Sequence, residues 1–304
     1  MNWTSEDITD QKGKTVLITG ANSGIGYEMA RAFYKKGAHV IMAARDGEKA
    51  RVAMQEIQER DGRGSLEVGL LDLSSLVAIR EFSAQMRAKH DKIDILINNA
   101  GIMTPPASLS AEGYELQFAV NFLGHFALTG LLYPLLLKAG EARIVTLSSG
   151  AHKLSLGIDY SGLKLEGSYD AQKAYNDSKL ADLLFSVELA RKVQSAGHGI
   201  ISTAAHPGIT ETALSRFMDK SEYDAAIEKF GKLMPAWQGA LPALYAASAA
   251  GVKGADYFGP DGTYELTGYP SPAELSVIAK DPIAGEQLWA YASRATGVKF
   301  PFEE

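Results

Sequence analysis

Tyr175 and Lys179 stand four residues apart in Tyr175-Asn176-Asp177-Ser178-Lys179. On a helix, positions i and i+4 share one face, one turn apart. A free phenol, with a pKa near 10, is a poor acid or base at neutral pH. A neighbouring ammonium favours the phenolate and draws that pKa toward the working range. Such a pair can pass a proton to or from a reacting oxygen, and the lysine can also hold a sugar hydroxyl. The spacing alone is common, and an ordinary surface pair is the plain alternative.

Ser149 adds a second feature. It lies at the carboxyl end of a predicted strand over residues 143–147, where open α/β sheets place their ligands. A hydroxyl there can bond a substrate carbonyl and stabilise charge developing on its oxygen. Ser148 stands beside it and competes for that role. Asn121 is a third feature, because it interrupts an apolar run over residues 118–139. Its structural alternative is a satisfied helix–helix hydrogen bond.

Thr19-Gly20-Ala21-Asn22-Ser23-Gly24-Ile25-Gly26 joins a predicted strand to a predicted helix. Glycines at such a junction permit a tight turn and let the backbone approach a pyrophosphate. The helix N-terminus then offers free N–H groups to the anion. About 20 residues on, an acidic residue would bind the ribose 2′-hydroxyl of NAD. That place falls near Ala44, followed by Arg45. A guanidinium there suits a 2′-phosphate, so NADP(H) is expected, with NAD(H) as the alternative. Arg45 could instead be a surface residue opening a helix. Asp72 closes another predicted strand, where it can accept from an adenine amino group or cap the next helix.

The elements that must position these residues follow from periodicity. Short β-branched runs over residues 15–18, 39–43, 66–71, 93–97, 143–147 and 199–204 read as strands. Helical patterns cover residues 24–36, 47–60 and 175–193, and Ile25, Met29 and Phe33 share one face of the first. Gly37 is its C-cap. Alternation of strands and helices argues for a doubly wound, mostly parallel sheet covered on both faces.

Composition bounds the classes of function. The chain has 304 residues, 46% hydrophobic and 22% charged, with a formal net charge of -6. A mildly acidic surface disfavours nucleic acid. The absence of cysteine excludes disulfides, thiolate metal sites and a thiol nucleophile, and no metal site is expected. The N-terminal stretch lacks the pattern of a signal peptide. The run 118–139 carries Asn121, His125, Thr129 and Pro134, so it reads as a buried or subunit-facing helix, not a membrane span. A cytoplasmic location and no membrane partner are expected.

In order along the chain, the loop at Gly20–Gly26, Asp72, Asn98-Asn99-Ala100-Gly101, Asn121, Ser149, Tyr175/Lys179 and Pro207-Gly208 resemble a short-chain dehydrogenase/reductase. The resemblance covers residues 14–212. It implies a single-domain Rossmann fold with a seven-stranded sheet over residues 1–304, an insertion at 150–174 and a substrate-side elaboration at 207–270. It also implies a tetrad: Tyr175 as acid/base, Ser149 orienting the reacting oxygen, Lys179 tuning Tyr175 and gripping ribose, and Asn121 holding a water that relays protons. Ser149, not Ser148, aligns with the family's catalytic serine. The cofactor-binding set implied is Gly20, Asn22, Ser23, Gly24, Ile25, Gly26, Arg45, Asp72, Leu73, Asn99, Ala100, Gly101, Tyr175, Lys179, Pro207, Gly208, Ile209 and Thr210, with Thr212 a second candidate in the nicotinamide loop. His206 before that loop is expected to be structural.

Val120 to Phe126, Ser148 to His152 and Tyr257-Phe258-Gly259-Pro260 resemble the retinol dehydrogenase-like and protochlorophyllide-reductase-like branch. Leu154, Leu156, Phe217, Met218, Phe230, Leu233, Met234 and Trp237 are expected to make the substrate side apolar. Phe230, Leu233, Met234 and Trp237 would share one face of a helix, which either forms an apolar lid or simply packs on the body. An apolar ketone, aldehyde or secondary alcohol is the substrate class expected. The alternatives are a non-catalytic NADP-binding sensor or scaffold, and nucleotide-sugar epimerase or dehydratase chemistry. A homodimer or homotetramer is expected from the family, with a monomer left open by the long C-terminal region.

Overall fold

The computed structural model describes residues 2–212, 214, 221 and 233–303. Eight strands form one sheet in the order β3-β2-β1-β4-β5-β6-β7-β8. They are β1 Thr15–Thr19, β2 His39–Ala44, β3 Ser65–Leu70, β4 Ile95–Asn98, β5 Ala142–Leu147, β6 Ile200–Ala205, β7 Tyr257–Pro260 and β8 Pro270–Pro272. All neighbours through β7 are parallel, and β8 runs antiparallel to β7. The expected seven strands are thus eight. The added edge strand has only three residues and two are proline, which gives no alternating pattern to read.

Strand order reverses direction between β1 and β4, so a crevice opens beyond their carboxyl ends. Side chains alternate across the sheet. Val16 and Ile18 join the core on one face, whereas Leu17 joins the core on the other. The first face is covered by α1 Gly24–Lys35 and α2 Gly47–Gln58, and by α6 Leu241–Ser248. The second is covered by α3 Leu76–Lys89, α4 Leu116–Lys138 and α5 Ala171–Ser195. Burial from both sides explains why the central strands are unbroken apolar runs.

The helix α4 is long and apolar enough to cross a membrane by length and composition, with a mean hydropathy of 1.5, yet 78% of that window is buried inside the fold. Its cover includes the chain's own C-terminal helix, α7 Pro282–Thr296, and the segment after it. Trp289 packs on Phe126 and Phe185 with ring centroids 5.0 and 5.9 Å apart. A Cβ on Gly130 would lie 2.5 Å from Val298 Cγ1, so the helix accepts this segment only because it carries glycine there. Residues 119–123 of α4 form a π-turn, the kind of local widening often found at functional sites.

Asp72 does not cap α3. Ser75 does, by accepting from Ala78 N, and Asp72 Oδ1 instead accepts from Ser74 N and Ser74 Oγ at 2.9 and 2.6 Å. The lid helix is also corrected for the residues described. Leu233 to Pro235 are not helical, and Met234 bridges Thr210 in parallel. Pro235 disfavours helix at the residue before it, and the helical turn begins at Ala236. Phe217, Met218 and Phe230 lie outside the described residues.

Candidate active site

A cleft of about 1900 Å³ opens at the carboxyl ends of the strands. Its floor is the turn from β1 into α1. Gly20 and Gly24 take positive φ of 68° and 54°, a region costly for other residues. Gly26 has a steric reason: a Cβ there would lie 2.3 Å from Gly20 O and 2.7 Å from Asn99 Nδ2. Ser23 precedes α1 without a side-chain cap bond, and the first turn carries no acidic residue. The helix therefore presents its first N–H groups to the cleft, where an anion is favoured.

Arg45 follows β2 and lines the same cleft. It does not cap α2; Asp46 does, accepting from Lys49 N at 3.1 Å. Arg45 is exposed and makes no hydrogen bond or ion pair with the described residues. Gly20, Asn22, Ser23, Gly24, Ile25, Gly26, Asn99, Ala100, Gly101, Pro207, Gly208, Ile209, Thr210 and Thr212 also line the cleft, whereas Asp72 and Leu73 are not on its wall.

Tyr175 and Lys179 project from α5 into the middle of the cleft, 4% and 5% exposed. Lys179 Nζ donates to Leu147 O at 2.9 Å and to Asp182 Oδ2 at 2.8 Å. Burial alone would depress the Lys179 pKa, but the Asp182 carboxylate and the Tyr175 oxygen outweigh it and the net shift is upward. The ammonium is therefore held charged beside the phenol. Burial pushes the carboxyl of Asp182 up, with Lys179 opposing.

The two serines are separated by their bonds. Ser148 is buried and its hydroxyl donates to Lys179 O at 2.7 Å. Ser149 accepts from Ala151 N at 3.2 Å, which leaves its proton to donate. Both border the cleft. Asn121 sits in the π-turn just behind this wall. Its Nδ2 donates to Ser178 Oγ at 2.9 Å and Ile102 O at 3.0 Å, and its Oδ1 accepts from Ile102 N at 2.9 Å. It thus makes the helix–helix bond that was its structural alternative. Gly101 sits against both Asn121 and Lys179, since a Cβ there would lie 3.3 Å from Asn121 Oδ1 and 3.8 Å from Lys179 Nζ.

His125, which in the sequence shows only as a polar interruption of the apolar run, organises this wall. Asn121 O can only accept, so the 2.7 Å contact places the proton on His125 Nδ1. His125 Nε2, 2.9 Å from Thr19 Oγ1, then accepts from that hydroxyl. Thr19 Oγ1 in turn accepts from Asn99 N and Ala100 N, both at 2.9 Å. Burial drives the imidazole pKa down to about 4, so the ring stays neutral and keeps this tautomer. A histidine one turn after Asn121 was the only available signal. Met103, Lys153 and Gln172 are further lining side chains that motif reasoning did not find.

His206 is structural as expected. It is 2% exposed, contacts Glu265 Oε2 at 3.2 Å and accepts from Gly208 N at 3.3 Å, which braces the Pro207–Thr210 turn. On the outer side of the cleft, Leu154, Leu214 and Leu233 are apolar, while Leu156 points elsewhere and is 96% exposed.

A strand-to-helix glycine turn, a Tyr/Lys helix face and a strand-end serine now meet in one crevice. The short chain dehydrogenase family model matches residues 14–222. The chain belongs to that family. Human retinol dehydrogenase 13 is 37% identical over 300 residues, covering 95% of this short chain dehydrogenase and 86% of the human protein. A crystal structure of an uncharacterized protein from Mycobacterium Paratuberculosis is 38% identical, covers 99% of this chain and 100% of its own, and superposes with a TM-score of 0.82. A Beutenbergia cavernae protein of the NAD(P) dependent gluconate 5-dehydrogenase type, solved with NADP bound, is 27% identical with a TM-score of 0.65, over 81% of this chain and 94% of that one. The protein is an oxidoreductase of the retinol dehydrogenase-like branch.

Proposed function

We infer that the protein is an NADP(H)-dependent oxidoreductase that interconverts an apolar ketone or aldehyde and its alcohol. The observation that carries this reading is the convergence of Tyr175, Lys179 and Ser149 on the cleft that begins at the glycine turn. The residues present fit a dinucleotide. Gly20 and Gly24 supply the positive φ of a tight glycine turn, the α1 N-terminus is uncapped, and Arg45 is free to meet a 2′-phosphate. When bound, the nicotinamide supplies or takes up hydride at the carbonyl carbon.

The chain's own residues manage the proton. In reduction, the Tyr175 hydroxyl gives its proton to the carbonyl oxygen as that oxygen gains charge. In oxidation the same oxygen removes the alcohol proton. The Lys179 ammonium stabilises the phenolate left on Tyr175, and Asp182 and Leu147 O keep it in place. Ser149 donates to the reacting oxygen and fixes its direction. Asn121 and His125 hold the wall behind them in register.

Leu154, Leu214 and Leu233 support an apolar substrate, as does the likeness to a retinol dehydrogenase. NADPH consumption against a panel of carbonyl compounds tests the reading. Long aliphatic or aryl carbonyls are expected to give the higher kcat/KM. Faster turnover of small polar carbonyls would overturn the substrate class.

A further inference from the structure

We propose that His39, Glu67 and His90 form a binding site for one divalent transition-metal cation, at the end of the sheet away from the cleft. The three residues come from three elements. His39 opens β2, Glu67 lies within β3, and His90 is the residue that ends α3. The catalytic cleft lies at the carboxyl ends of the strands, so this cluster is separate from it. It revises the expectation from sequence that no metal site exists.

The distances carry the proposal. His39 Nε2 and His90 Nε2 lie 3.4 and 3.5 Å from the same oxygen, Glu67 Oε2. An N–H···O hydrogen bond is usually 2.7–3.2 Å, so neither contact is a good one. Zinc–nitrogen bonds of about 2.0–2.1 Å, however, give a tetrahedral ligand-to-ligand edge of about 3.4 Å. One ligand atom from each of the three residues lies within 4.8 Å of the other two. One cation would be shared among them.

The protonation pattern agrees. His90 Nε2 is buried and has no hydrogen-bond partner, which is costly for a polar atom unless something else binds it. His39 Nδ1 is 2.8 Å from Ser65 Oγ, so a proton on Nδ1 leaves the Nε2 lone pair facing the cluster. Metal-bound histidines commonly have their second nitrogen tied in this way. Lys89 Nζ holds the other carboxylate oxygen, Oε1, at 2.7 Å, so Glu67 would ligate through Oε2 alone. Two imidazoles and one carboxylate suit Zn²⁺, with solvent as the fourth ligand.

The cation would join β2, β3 and the end of α3. The test uses untagged full-length protein, stripped with a chelator and titrated with Zn²⁺ by calorimetry. Near-stoichiometric binding of one ion is expected, with a Tm raised by a few degrees because the ion binds only the folded state. H39A and H90A should each weaken binding at least tenfold and remove the Tm shift. H39Q, at the more exposed ligand, carries the test if H90A does not fold. Saturable binding that survives in H39Q or H39A would overturn the proposal, as would no one-to-one binding in the unaltered protein.

Discussion

Ser148 Oγ donates to Lys179 O at 2.7 Å, while Ser149, one residue on, keeps its hydroxyl proton for the cleft. Adjacent serines on one strand end thus serve different purposes. The first ties β5 to the helix carrying Tyr175 and Lys179, and the second borders the cleft, where the proposed function has it donate to the reacting oxygen. S149A is expected to lower kcat about 10²–10³-fold, the usual loss of a donor to a developing oxyanion. S148A should cost about 1 kcal/mol of stability with a much smaller drop in kcat. Steady-state kinetics and thermal melts on the two variants check this, and the reverse pattern would exchange their roles.

Under the proposed function, Arg45 sets the choice of dinucleotide. It is exposed at the end of β2, and no described residue neutralises it. R45D should invert the preference, lowering kcat/KM for NADPH and raising it for NADH. A wild type that already prefers NADH would remove this role.

Asp182 raises the pKa of the Lys179 ammonium, which burial alone would depress. In D182N the carbonyl oxygen can still accept from Lys179 Nζ, but the charge is gone. The high-pH limb of the kcat profile is therefore expected to move to lower pH. An unchanged limb would mean that Lys179 ionisation does not govern it.

His125 gives the fold an acid-sensitive point. Its folded pKa is about 4, below the ordinary 6.5, so the unfolded chain takes up the proton first as pH falls. The contribution is complete above about pH 6.5 and is lost on going down toward 4, about 3 kcal/mol over the whole window. Asp182 acts in the opposite sense, because its folded pKa is raised. The comparison is therefore between variants: Tm should fall less steeply from pH 6.5 to 4.5 in H125Q than in the wild type. Parallel melting curves would contradict the assignment.

The legible parts of this molecule were those whose physics is local. The β1–α1 turn shows itself through Gly20, Gly24 and Gly26, because the backbone there admits nothing larger. The Tyr175/Lys179 face follows from helical period alone. The less legible parts depend on distant partners. Asp182 belongs to no motif, and only the fold buries it beside Lys179. The role of His125 depends on Thr19, far away in the chain. At Leu233 to Pro235, a helical spacing of apolar residues lost to a proline and to the bridge with Thr210. The edge strand Pro270–Pro272 carried no pattern at all.

The central claim is that Tyr175 transfers the proton. Its most direct test is Y175F, measured for NADPH binding by fluorescence and for carbonyl reduction under saturating cofactor. The account predicts cofactor affinity within about threefold of wild type and a kcat lower by about 10²–10⁴-fold, the range of a lost general acid. Turnover near the wild-type rate in a variant that still binds NADPH would contradict it.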